Sequence, residues 1–130
     1  MRFMMLMIPL GYETAPPDVQ LDPERVKAMM KYNEALKDAG VLITLDGLHP
    51  PSTGARVSFA TGKPIVTDGP FTEAKEVIGG YAVFDVKTKE EAVEWTMRFM
   101  DLHRQHWPQW EGEAEVRQMF EGPGCPPDSQ

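Results

Sequence analysis

Three observations predict an α+β domain of ferredoxin-like topology, a split β-α-β pattern with an inserted β-hairpin. Short apolar or alternating segments flank two amphipathic helical stretches; the elements run strand, helix, strand, hairpin, strand, helix, strand; and Gly or Pro marks most junctions. The 130 residues suffice for one domain that buries roughly two thirds of its unfolded surface without disulfide or metal. Residues 1–121 are expected to form that domain, and the Pro- and Gly-rich residues 122–130 a flexible tail.

Met1 to Ile8 is apolar apart from Arg2, ends at Pro9, and reads as a strand covered on both faces. It is too short for a membrane span and lacks a small-residue cleavage site. Tyr12 to Leu21, with Pro16 and Pro17, has no apolar period and reads as a loop. Asp22 then supplies an N-cap and Pro23 the first helical position. Val26, Met29, Met30 and Leu36 recur on one face, interrupted by Asn33, until Gly40. Val41, Ile43 and Leu45 alternate with Leu42, Thr44 and Asp46 in a second strand, which leaves through the rigid Leu48-His49-Pro50-Pro51.

Ala55, Val57 and Phe59 alternate with polar neighbours, Gly62-Lys63 makes a turn, and Ile65-Val66 return as the hairpin's second strand. Beyond a polar segment and Gly79-Gly80, Tyr81 to Val86 is another strand. Thr88 and Glu91 form a capping box for a helix whose wide apolar face includes Ala92, Val93, Trp95, Met97, Phe99 and Met100. Pro108 ends that helical stretch, and Ala114, Val116 and Phe120 alternate with polar residues in a last strand. Helices cover one face of such an antiparallel sheet, and a second copy can cover the other, which predicts a homodimer.

The charge balance narrows the function. With 13 Lys and Arg against 20 Asp and Glu, a net charge of -7 repels phosphate backbones and anionic lipid, so no direct nucleic-acid or membrane partner is expected. The single Cys125 lies in the tail and cannot make an intrachain disulfide, in keeping with a reducing, cytoplasmic setting. Phosphate-binding loops, dinucleotide fingerprints, serine elbows and paired-cysteine metal motifs are all missing from the sequence, and no cofactor is predicted. Of the 9 Met, those at 4, 5, 7, 29, 30, 97 and 100 fall on faces that read as buried, where thioethers fill irregular space. The 12 Pro mostly punctuate exits and ends.

Chemistry concentrates between Thr67 and Tyr81. Asp68-Gly69-Pro70 can form a turn aiming a carboxylate across its own N–H groups, with Phe71 anchoring it and Glu73, Lys75 and Glu76 adding charge of both signs. A carboxylate held in a partly apolar cleft suits proton transfer, whereas an Asp opening a turn also simply satisfies backbone donors. His49, beside Pro50-Pro51, would be carried toward that turn by the hairpin. Asp68 and His49 are therefore the candidate catalytic residues, and Gly69, Pro70, Phe71, Glu73, Lys75 and Glu76 the candidate ligand-binding ones. His103 and His106 share a helix face, but no third ligand at a recognised spacing accompanies them, so no metal site is predicted and the helix dipole explains them better. Trp107 and Trp110 read as packing residues.

The run Asp68-Gly69-Pro70-Phe71, with Glu73, Lys75-Glu76 and Gly79-Gly80-Tyr81, resembles the signature of the DGPF family within the YCII-related superfamily. Gly47 to Pro51 and Ala55-Arg56-Val57 resemble the same pattern, and the similarity in element order covers residues 2–120. The resemblance implies a dimeric α+β barrel of ferredoxin-like subunits, bacterial, often associated with extracytoplasmic-function sigma factors, and without a settled reaction. It also implies a His and Asp pair in a cleft, with Asp68 matching the carboxylate position and no histidine assigned by the motif. Two readings follow: a small-molecule-binding or regulatory dimer linked to sigma-factor signalling, or a cofactor-independent isomerase- or lyase-like enzyme using Asp68 for proton transfer.

Overall fold

In a computed structural model of the chain, residues 1–60, 62–69 and 77–121 are described. The elements are β1 (Arg2–Pro9), α1 (Pro23–Asp38), β2 (Leu42–Gly47), β3 (Ala55–Ala60), β4 (Lys63–Asp68), β5 (Gly80–Asp85), α2 (Lys89–His106) and β6 (Gly112–Gln118), with 3-10 turns at Tyr12–Thr14 and Pro51–Thr53. Four strands form an antiparallel sheet in the order β2-β5-β1-β6, and β3-β4 form a separate two-stranded sheet. The two β-α-β units interleave, which is the ferredoxin-like α+β arrangement with an inserted hairpin. The expected tail lies outside the described residues.

Strand alternation divides the sheet into two faces. Phe3, Met5 and Met7 of β1 and Ala82 and Phe84 of β5 point to the helices and are buried with Tyr32, Leu36 and Phe99. Burying a side chain such as Phe84 or Leu36 contributes about 1.5 to 3 kcal/mol. The opposite face carries Met4, Leu6 and Ile8, paired in register with Val83 and Tyr81 on one side and with Arg117, Glu115 and Glu113 on the other. Met4, Leu6 and Ile8 are half-buried. The strand is thus covered fully on one face and partly on the other, rather than on both.

The Asp22 carboxylate caps α1 by accepting from the Glu24 N–H at 3.2 Å, and Pro23 occupies the first turn. At the other end Gly40, with φ of 73°, turns the chain so that the Val41 N–H reaches the Leu36 carbonyl at 3.1 Å. Asp22→Ala is expected to lower stability by about 1 kcal/mol in urea denaturation, the usual cost of an N-cap, without altering the sheet.

Several side chains face differently from their predicted stripe. On α1 the buried row is Ala28, Tyr32 and Leu36, while Val26 and Met30 are exposed. Tyr32 occupies the interior because its hydroxyl donates to the Trp95 carbonyl at 2.8 Å, and burial pushes its pKa well above the ordinary value. On α2 the row is Ala92, Thr96, Phe99 and His103, leaving Val93 and Met97 in solvent. Thr96 is tolerated there because its hydroxyl donates to the Ala92 carbonyl at 2.8 Å. In β2 a bulge between Leu42 and Thr44 breaks the alternation, so Leu42 and Leu45 meet the core and Ile43 is exposed. β6 ends before Phe120, which is 96% exposed.

Candidate functional site

The site is built where β2 hands over to the hairpin. At the end of β2 the Leu48 N–H donates to the Gly79 carbonyl at 2.9 Å, and the Tyr12 hydroxyl donates to the Leu48 carbonyl at 2.5 Å. Pro50 is fully buried, and both the Thr53 N–H, at 3.0 Å, and the Thr53 hydroxyl, at 2.9 Å, donate to its carbonyl. Two prolines with fixed φ and a 3-10 turn tied on both sides make this exit rigid. It forms one wall of a cleft of about 440 Å³. Gly54 and Arg56 at the hairpin root form the second wall, and Val77 and Ile78 the third.

His49 lines this cleft and is exposed. Asp68 ends β4 directly opposite Ala55, at the hairpin root, and is also exposed. Of the two candidate catalytic residues only His49 is among the described residues that line the cleft, and among the described residues no hydrogen bond or ion pair joins it to Asp68. Gly69 has a structural position: its N–H donates to the Gly54 carbonyl at 2.8 Å, and a Cβ on it would lie 1.7 Å from the Pro51 carbonyl oxygen. Pro70, Phe71, Glu73, Lys75 and Glu76 lie outside the described residues.

Gly79 and Gly80 hold the cleft's third wall close to the sheet. A Cβ on Gly79 would meet the Pro9 ring at 2.7 Å, and one on Gly80 the Asp46 carbonyl oxygen at 3.1 Å. Just beyond them Tyr81 donates to the Asp46 carboxylate at 3.2 Å, and Thr44 donates to the same oxygen at 2.9 Å. The bond to Asp46 and its negative charge raise the Tyr81 pKa. Sequence reading did not single out this cross-strand trio; the register placing Asp46 opposite Tyr81 depends on the β2 bulge.

A second polar centre lies inside the protein. His103 is 1% exposed, and its Nδ1 lies 3.0 Å from the Phe99 carbonyl, which only an N–H at Nδ1 can satisfy. Nε2 then carries the lone pair and accepts from the Arg25 guanidinium at 3.4 Å. Trp107 and Trp110 flank the imidazole at 5.2 and 4.3 Å between ring centroids, and Arg25 lies over Trp107 at 5.3 Å. Burial, opposed by the Phe99 bond and reinforced by the Arg25 charge, lowers the His103 pKa, and burial lowers that of Arg25. His103 is thus a neutral core histidine rather than a group at an exposed helix end. Its neighbour His106 is exposed beside Trp107. Among the described residues no three His, Cys, Asp or Glu side chains are grouped to hold a metal ion.

A larger open cleft, of about 730 Å³, lies between the end of β1, the C-terminus of α2 and the start of β6. Arg104, the one cation among its described lining residues, is engaged by Asp101 at 3.3 Å, and Glu111 and Glu113 give its rim negative charge. The smaller cleft, with His49 and Arg56 among apolar walls, has the better chemistry for a ligand despite its size. Among the described residues no helix is long and apolar enough to cross a membrane.

No curated protein matches the chain. The YCII-related domain model matches residues 1–100, spanning β1 through most of α2 and including the cleft. With that match over most of its length and the ferredoxin-like sheet beneath it, the chain belongs to the YCII-related domain family.

Proposed function

We propose that the protein is a small-molecule-binding or regulatory homodimer of the DGPF type, with its ligand in the cleft below the hairpin. The observation that carries this reading is the cleft lining: Leu48, Pro50, Pro51, Val77 and Ile78 supply apolar walls, and His49 and Arg56 two polar groups able to orient an anionic end. Its volume of about 440 Å³ suits a small organic acid. A link to sigma-factor signalling comes from the DGPF resemblance, and the net charge of -7 favours its running through a ligand or a protein rather than DNA.

The test is a thermal-shift screen against small organic acids, since a ligand that binds the folded state raises Tm according to its concentration over its Kd. A hit whose shift drops at least about tenfold in affinity in His49→Ala, a loss of about 1.4 kcal/mol, supports the reading. Flat curves across the screen overturn it. The placement of Asp68 at the root of the same hairpin keeps a second reading in view, proton transfer by Asp68 in an isomerase- or lyase-like step. Asp68→Asn that binds the hit but no longer converts it would establish that reading.

A further inference from the structure

We propose that the larger cleft is a binding site for a small organic cation, an ammonium group carried on an apolar or aromatic body. Its walls come from three elements that the fold brings to one end of the sheet: the end of β1, the C-terminus of α2 and the start of β6. Ile8, Leu10, Met100 and Pro108 make its apolar surface, and Leu10 is 71% exposed, so a guest finds apolar contact there. Trp110 supplies an aromatic wall. Its ring is fixed from two sides: the His103 imidazole packs 4.3 Å away between centroids, and Gly112 lies so close that a Cβ on it would come within 2.6 and 2.7 Å of two carbons of the six-membered ring. Glycine at that position lets the indole lie against the strand, and the aromatic wall is in place before a ligand arrives.

Charge decides the sign of that ligand. Glu111 and Glu113 stand at the rim, and neither carboxylate has a hydrogen bond or ion pair among the described residues. Arg104 is held by Asp101 at 3.3 Å, so its charge is already answered and the two glutamates set the field. A cation is attracted both by those carboxylates and by the π-system of Trp110, so the two features agree on one class of guest. An anion meets two carboxylates, and a bare metal ion lacks a third ligand, since among the described residues no three His, Cys, Asp or Glu side chains are grouped to hold one. The volume of about 730 Å³ fits a whole small molecule. The smaller cleft, with His49 and Arg56, favours the opposite charge, so the two would not compete for one ligand. Arg104, Pro108, Trp110, Glu111 and Glu113 lie beyond residues 1–100, the stretch matched by the family model, so this site does not follow from family membership.

An amide NMR titration of the full chain with benzyltrimethylammonium at low ionic strength tests this, with benzyl alcohol as the uncharged comparison. The cation is expected to bind at millimolar concentration or below, moving the Trp110 indole and Gly112 amide resonances, and the alcohol to bind at least about tenfold more weakly. Glu111→Gln combined with Glu113→Gln, both at exposed positions, is expected to raise the Kd of the cation about fivefold or more with far-UV circular dichroism unchanged. If that pair does not fold, the two single variants carry the same comparison with smaller shifts. Glu34→Gln with Asp38→Asn removes the same charge toward the end of α1 away from Arg25 and His103, and is expected to leave the Kd within about twofold of wild type. Equal weakening by the two pairs shows a general attraction to an acidic surface and overturns the site. Equal affinities for cation and alcohol, an unchanged Kd in the Glu111 and Glu113 variants, or resonances that stay still at millimolar cation overturn it as well.

Discussion

Acidification below about pH 6.5 is expected to destabilise the protein through His103, and His103→Gln to abolish that part of the pH dependence. The imidazole is fixed as its Nδ1–H tautomer by the Phe99 carbonyl, so a proton can be added only at Nε2, where the Arg25 guanidinium already donates. Protonation would set N–H against N–H and cation against cation in a site walled by Trp107, Trp110 and Phe99. Among the described residues, the charge that acts on His103 is Arg25 from α1, and the groups that act on Arg25 in turn are Tyr12 and Asp22. Because the folded-state pKa is lowered, the unfolded chain binds more protons than the folded one as pH falls through the unfolded value. Stability therefore rises with pH in that window and levels off above it. Urea midpoints across the window, compared between wild type and His103→Gln, measure the difference. Parallel curves would show that His103 ionises as freely in the fold as in the open chain. His103→Ala is expected to cost about 3 kcal/mol at neutral pH, since it leaves a ring-sized cavity among the aromatic side chains.

Which parts of this structure the sequence announces follows from how local their causes are. The α1 cap, the Thr88 and Glu91 box of α2, the Gly62 turn and the alternation of β3 are each decided within a few residues, and all form where expected. Which stripe of a helix faces inward depends on partners far along the chain. Tyr32 displaces Val26 and Met30 from the interior because the Trp95 carbonyl, 63 residues away, receives its hydroxyl. His103 is buried among Phe99, Trp107 and Trp110 and meets Arg25, 78 residues away, and no spacing rule marks such a pair. The exception at the site is Pro50-Pro51, whose rigidity was legible directly and which shapes the cleft beside His49. The role of Gly69 was not legible, since its reason is a backbone contact with Pro51 made only after the hairpin closes.

That contact makes Gly69→Ala the variant expected to disturb the candidate site most. The added Cβ would lie 1.7 Å from the Pro51 oxygen and 2.7 Å from its carbonyl carbon. Both are backbone atoms in a turn held by Pro50, so no side-chain rotation relieves the clash. Either the end of β4 or the 3-10 turn must move, and the bond from the Gly69 N–H to the Gly54 carbonyl is lost with it. Overpacking of this kind, added to one lost hydrogen bond, is expected to cost about 2 to 3 kcal/mol. Gly54→Ala is the internal control: its Cβ would meet the Pro51 oxygen at 3.6 Å, an ordinary contact, and its extended backbone with φ of -111° accepts any residue. That variant is expected to stay within about 0.5 kcal/mol of wild type. The damage from Gly69→Ala should also be local. Amide exchange across residues 55–68 is expected to accelerate, and any ligand found for the cleft to bind at least about tenfold more weakly, because two of its walls are the parts displaced. If both variants show the same midpoint and the same exchange in the hairpin, the close approach of Gly69 to Pro51 is not what seats the hairpin's root against the cleft.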